Sequence, residues 1–262
     1  MRKVTSFLEW LFCVRKRCEL YCPIKLLNGD CLELMQDIPN GSIDMILCDL
    51  PYQMTSCEWD KLIPFDKLWE QYNRITKDNG AIVLFSAQPF TTKLIYSNLK
   101  RFKYCWYWVK PQVTGFALAK KQPLRVVEDI CVFYNKQPNY KPQGLIEVKH
   151  PKPKTRNTKQ TDKIYSSTLE RQYISKYTNY PKQTLFYSRE CKGRKHPTQK
   201  PIALLEYLIK TYTDEGETIL DNCMGSGSTG VACVNTNRRF IGMEITDHYY
   251  SIAKNRIHGA MQ

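Results

Sequence analysis

Apolar runs of four to six residues recur along the chain, at Ile24–Asn28, Ile43–Cys48, Ala81–Ser86, Tyr104–Val109, Asp129–Tyr134, Thr218–Asp221 and Arg239–Met243. Several are apolar throughout instead of alternating, as strands are when both faces of their sheet are covered. Helical patterns separate many of them. Asp66–Thr76 sets Leu68, Trp69, Tyr72 and Ile75 on one stripe, and His248–Ile257 forms a last helix. Pro201–Tyr212 opens with proline at a first helical position and carries Leu204, Leu205, Leu208 and Ile209. Strands that alternate with helices predict an α/β fold around a mostly parallel, seven-stranded sheet.

Residues 136–200 break that rhythm. They hold sixteen lysines and arginines against four acids, so this quarter of the chain carries twelve of the fourteen net positive charges. Six tyrosines are interleaved, at 140, 165, 173, 177, 180 and 187. A charge run of this kind is either a solvated insertion or a nucleic-acid contact, with cations on phosphates and rings on bases. The concentration of charge in one stretch favours the second.

Over all 262 residues, 42% hydrophobic and 24% charged positions are ordinary globular values and exclude collagen, a wholly disordered chain and a polytopic membrane protein. Eleven cysteines form no C-x-x-C pair, and many sit inside apolar runs. They read as reduced thiols in a cytoplasmic protein, with no metal site. Ser6–Val14 is too short to span a bilayer and is interrupted by Glu9, so residues 1–23 read as a leader and no membrane partner is expected.

Two turns carry the candidate chemistry. In the first, the strand Thr218–Asp221 runs into Asn222-Cys223-Met224-Gly225-Ser226-Gly227-Ser228-Thr229-Gly230, a G-x-G-x-x-G turn that leads into a helix. Glycines there permit a tight turn and close approach of backbone to a ligand. Glu244, after the next strand, is placed to accept hydrogen bonds from ribose hydroxyls, the arrangement of an adenosine site. No Lys-Ser or Lys-Thr follows the last glycine, which argues against a triphosphate-gripping loop. A nicotinamide oxidoreductase fits the fingerprint, although only 32 residues follow Gly230 and the sheet must be completed from the N-terminal half. The second turn is Asp49-Leu50-Pro51-Tyr52, a carboxylate, a proline and an aromatic ring at the end of a buried strand. Taken alone, it reads equally as a packed strand-end turn.

Together the two turns resemble the amino-methylating DNA methyltransferases, over nearly the whole chain from Ile24 onward. Asp49-Leu50-Pro51-Tyr52 is similar to that family's Asp/Asn/Ser-Pro-Pro-Tyr/Phe signature, and Asp221–Gly230 to its Asp-Pro-Phe-x-Gly-Ser-Gly-Thr motif. His196-Pro197-Thr198-Gln199-Lys200-Pro201 is similar to its His-Pro-Thr-Gln-Lys-Pro motif, and Gly29-Asp30 to its Gly-Asp step. The catalytic motif precedes the glycine motif, which resembles the β class with its circularly permuted motif order. Leu50 departs from the usual first proline, and Asn222 and Cys223 from the usual Pro-Phe; the loss of an aromatic wall bears on cofactor affinity more than on chemistry.

The resemblance implies a Rossmann-like S-adenosylmethionine-dependent methyltransferase fold. It implies a catalytic half at 24–135, a basic target-recognition insertion at 136–195 and a cofactor-binding half at 196–262. Asp49, Leu50, Pro51 and Tyr52 would be catalytic. Asp30, Cys48, Thr198, Lys200, Asp221, Cys223, Gly225, Ser226, Gly227, Thr229 and Glu244 would bind S-adenosyl-L-methionine. The implied activity is site-specific methylation of adenine N6 in double-stranded DNA, with the base flipped out. Asp at the first motif position favours adenine N6, while cytosine N4 stays open. Methylation of RNA or of a protein amide and an inactive DNA-binding protein are the further alternatives. A homodimer and a cognate restriction enzyme are partners the resemblance allows.

Overall fold

The computed structural model describes residues 24–53, 60–155, 172–188 and 199–262. Contacts divide the chain into two units, one spanning residues 183–262 together with the chain up to Lys141, the other Pro142–Lys182. The larger unit is built on one sheet, whose first strands in chain order are β1 (Ile24–Asn28), β2 (Ile43–Asp49), β3 (Thr76–Ser86), β4 (Phe102–Thr114) and β5 (Arg125–Phe133). In the smaller unit, β6 (Ile146–Glu147) pairs antiparallel with β9 (Tyr177–Thr178), and β7 (Pro153–Thr155) with β8 (Gln172–Ile174). The large sheet is completed by β10 (Thr184–Phe186), β11 (Thr218–Asp221) and β12 (Arg239–Glu244). Its order is β1-β12-β11-β2-β3-β5-β4-β10.

The sheet therefore has eight strands where periodicity predicted seven. The addition, β10, is three residues long with a single buried residue, Leu185, and so carries no readable alternation. All pairings are parallel except those of β5, which runs against both β3 and β4. The helices are α1 (Cys31–Leu34), α2 (Phe65–Ile75), α3 (Phe90–Ser97), α4 (Ile202–Tyr212), α5 (Ser228–Asn235) and α6 (Asp247–Ala260). Pro201 is the N-cap of α4 and not its first helical residue.

Alternate strand residues feed two separate cores. Met45, Leu47, Val83 and Phe85 pack with Leu204, Leu208, Val231 and Ile257 of α4, α5 and α6. Ile46, Cys48, Ile82 and Leu84 pack with Leu68, Trp69, Tyr72 and Leu94 of α2 and α3 on the other face. Covering on both faces explains why β2 is buried from Ile43 to Cys48 and apolar without alternation from Met45 to Cys48.

The order in which successive strands are added reverses between β2 and β11. The β2-to-β3 crossover carries α2 over one face, and the β11-to-β12 crossover carries α5 over the other. Neighbouring strands whose connections leave to opposite sides open a crevice at their carboxyl ends. β11 and β2 are parallel neighbours, with Ile219 opposite Met45 and Leu220 opposite Ile46, so Asp221 and Asp49 finish on the same edge. The buried Asp44 side chain fastens the pair, accepting from the Thr218 backbone N–H at 2.9 Å and from Lys77 Nζ at 2.5 Å.

Candidate active site

At that edge lies a cavity of about 750 Å³. Its walls include Asp49, Leu50, Pro51 and Tyr52 from the turn after β2, and Asp221, Cys223, Gly225, Ser226 and Thr229 from the turn after β11. Asp30, Lys200 and Glu244 line it too. Two of the sequence-derived site residues do not line it. Cys48 is buried in the α2 core, and Gly227 sits at the start of α5. Thr198 lies outside the described residues.

The glycine turn is held from several sides. Glu244, only 7% exposed, accepts from Gly225 N–H at 3.0 Å through one oxygen and from Thr246 N–H at 2.9 Å through the other. Met224 N–H donates to the Met243 carbonyl at 2.9 Å. Arg256 from α6 donates to the Ser226 carbonyl at 2.6 Å and to the Ser228 hydroxyl at 3.2 Å. Gly227 adopts φ +78°, and a Cβ there would meet Ala253 Cβ at 2.9 Å. Its glycine is thus required by both backbone conformation and the approach of α6. Asp221, buried beneath the turn, accepts from Cys223 N–H at 3.1 Å. Burial pushes its carboxyl up to about 6.

Asn222 stands where the resembled motif has proline. It is buried and accepts from the Tyr72 hydroxyl at 2.6 Å, while its Nδ2 donates to Cys31 Sγ at 3.5 Å. Burial, helped by the nearby Asp221 charge and opposed by the Cys223 contact, shifts the Cys48 thiol up to about 12. Asp30 caps α1, accepting from Leu32 N–H at 2.7 Å.

On the other wall, both Asp49 oxygens have partners. The Tyr52 hydroxyl donates to Oδ1 at 2.7 Å, and Lys200 Nζ lies 2.5 Å from Oδ2. The Tyr52 ring stacks on Phe90 with centroids 4.8 Å apart. Gln53 N–H donates to Asp60 Oδ1 at 2.8 Å and closes the turn.

Lys200 Nζ also faces Glu128 Oε2 at 3.5 Å, and Lys110 Nζ meets Glu128 Oε1 at 2.7 Å. Two carboxylates and two ammonium groups thus form a neutral, largely buried chain. Burial pushes the Asp49 carboxyl above the ordinary carboxylate range against the pull of Lys200. Burial works to lower the Lys200 ammonium, but Asp49 and Glu128 hold it above its usual value. Glu128 and Lys110 did not emerge from sequence reasoning. Each is one charge at the margin of an apolar strand, and only the antiparallel register of β4 and β5 brings them within reach of Lys200. Among the described residues, no group of histidine, cysteine, aspartate and glutamate side chains could hold a metal ion.

An acidic-proline-aromatic turn and a glycine turn, opening into one cavity at the switch point of a doubly wound sheet, define an α/β enzyme that handles a nucleoside-containing ligand. Residues 43–255 match the family model described as DNA methylase, and the chain belongs to that family. The DNA adenine methyltransferase YhdJ of Escherichia coli K12 is 24% identical over 261 residues, which cover 88% of this chain and 82% of YhdJ. The crystal structure of the M1.HpyAVI–SAM complex superposes with a TM-score of 0.62 at 23% identity, over 89% of this chain and 98% of that one. The cytosine-N4-specific PvuII DNA methyltransferase superposes with a TM-score of 0.64 at 17% identity, over 91% of each chain.

Proposed function

We propose that the chain transfers a methyl group from S-adenosyl-L-methionine to the N6 amino group of adenine in double-stranded DNA. The reading rests on one observation above all: Asp49 and Tyr52 share a cavity with the Gly225 turn and Glu244. The residues present fit the donor. The volume lies within the range of cofactor sites. Glu244 offers a carboxylate whose two oxygens are already oriented by backbone N–H groups and keep lone pairs for a diol. Leu32, Ile245 and Tyr249 provide apolar lining. When bound, the donor supplies a methyl group on a positively charged sulfur.

The amino nitrogen of adenine is a weak nucleophile because its lone pair is delocalised into the ring. Asp49 accepts a hydrogen bond from one amino hydrogen, and the backbone carbonyl of Leu50 accepts the other. Both contacts draw the nitrogen towards tetrahedral geometry and return its lone pair. Pro51 stiffens the turn by fixing φ, and Tyr52 stacks on the extruded base. With the donor bound, an N–C bond would form as the donor's C–S bond broke, and Asp49 would receive the proton that the nitrogen loses. Positioning and fixed charge supply most of the acceleration. Lys200 serves as a positioning residue for Asp49. Because Glu128 and Lys110 balance it, the carboxylate is fixed with no net positive charge added to the cavity wall.

The Asp at the head of the turn supports N6 over cytosine N4, while the similar proteins include methyltransferases of both kinds. Incubation with unmethylated plasmid and tritium-labelled donor, then digestion to nucleosides, is expected to place the label in N6-methyladenine. Label in N4-methylcytosine would move the assignment to cytosine, and unlabelled DNA would end it. Asp49→Ala is expected to abolish transfer while donor affinity by calorimetry stays within about threefold of wild type, an interaction loss confined to the transition state.

A further inference from the structure

The loop between β4 and β5 carries a surface that the transfer chemistry leaves unused. We propose that the tip of this hairpin is a wedge that enters the DNA duplex and fills the space the target base leaves when it turns into the cavity. The inference rests on the base-flipping reading above.

Position comes first. Asp49 pairs with Phe85 near the carboxyl end of the parallel strands. β5 runs the other way, and its ladder with β4 continues past Asp129, opposite Ser86, to Val127 opposite Val109 and Arg125 opposite Thr114. The hairpin therefore overshoots the sheet on the edge where Asp49 stands. Its base, with Lys110, Thr114, Arg125, Val127 and Glu128, lines the same cavity.

The tip is ordered yet apolar and open to water. Gly115 takes φ +93°, and a single 3₁₀ turn, Phe116–Leu118, follows. Leu118 N–H donates to the Gly115 carbonyl at 2.9 Å, and Lys121 N–H to the Leu118 carbonyl at 2.8 Å. Internal hydrogen bonds thus hold the turn and leave Phe116 68% exposed and Leu118 42% exposed. Lys120 and Lys121 follow at once, Arg125 closes the hairpin, and residues 111–127 contain no acid. A polyanion suits this surface: apolar side chains of this kind part stacked bases, and flanking cations meet phosphates. Extrusion of a base leaves a gap in the stack that costs free energy until something fills it. Phe116, on a hydrogen-bonded turn two residues beyond the cavity-lining Thr114, is the side chain placed to do so.

The test uses the full chain and duplexes carrying the site mapped from methylated plasmid, with 2-aminopurine at the target position. Wild type is expected to raise 2-aminopurine fluorescence. Phe116→Ala should lose that rise and methylate the paired adenine duplex about five- to a hundredfold more slowly, the range that stacking contributions span. Phe116→Trp should retain the rise. On a duplex with an abasic site opposite the target, Phe116→Ala should approach the wild-type rate, a recovery that a misfolded variant would not show. Wild-type fluorescence and rate in Phe116→Ala would overturn the wedge and leave the ring to another partner. An equal loss on paired and abasic duplexes would overturn it as well. If wild type itself methylates DNA without any fluorescence rise, the flipping reading fails first.

Discussion

Asp49 is gripped from two directions, by a phenol on one oxygen and an ammonium on the other. A short side chain at a strand end would otherwise have rotamers to choose from, and the double grip leaves the carboxylate aimed into the cavity. Lys200 also sets when that carboxylate is charged. Burial raises the Asp49 carboxyl, and the nearest opposing influence is Lys200. Transfer needs the ionised form, so the rate is lost as pH falls through the raised value. Removing the cation lifts that value further. Lys200→Gln is therefore expected to move the acid limb of the single-turnover pH–rate profile to higher pH by about one unit or more, as loss of an opposite charge at this range does. An unmoved limb with a uniformly lower rate would mean that Lys200 matters only for packing. The sequence exposed Asp49 through its turn, but not the partner of Lys200. Residues 151 positions apart in the chain were read as serving different ligands. Only the fold puts them in contact.

The glycine turn was the most legible element because its constraints are local: a strand, a positive φ and a close helix all leave a mark on residue type. Gly227 carries two of these marks. In Gly227→Ala the added Cβ would press on the backbone of α6, with Ala253 Cα at 3.0 Å, in a left-handed conformation. The expected cost is about 2–4 kcal/mol, overpacking plus the left-handed penalty, read as a lower urea midpoint with an unchanged slope. Asn222 was less legible. Against the resembled motif it looks like a defect, yet it is the acceptor for the Tyr72 hydroxyl, which is 150 residues away and buried. A substitution that trades a ring for a hydrogen bond to another helix cannot be read from the turn alone. β10 was invisible for a simpler reason, since three residues with one buried side chain have no period.

At the scale of the molecule, the order of apolar runs was enough for an α/β sheet, because strands covered on both faces cannot avoid being apolar throughout. The antiparallel sense of β5 was not readable, since pairing direction leaves no trace in composition. Charge was readable as a quantity, but its placement was not. Lys149, Lys152, Lys176 and Lys182 lie in the Pro142–Lys182 unit, and all are exposed. If they meet phosphates, Lys149→Ala and Lys176→Ala should each flatten the slope of log affinity against log salt by about 0.9, one phosphate contact apiece. Fluorescence anisotropy on a labelled duplex from 50 to about 200 mM salt measures this, and an unaltered slope in the double variant would remove DNA from that surface.

The two oxygens of Glu244 clasp the turns that follow β11 and β12, so whatever settles against that carboxylate steadies both at once. Loading the donor should then show up as resistance to heat, with a melting temperature that climbs with donor concentration. At a hundredfold excess over the dissociation constant the gain is about 2.7 kcal/mol. Glu244→Ala, deprived of the clasp, should melt earlier and respond far less to the same addition.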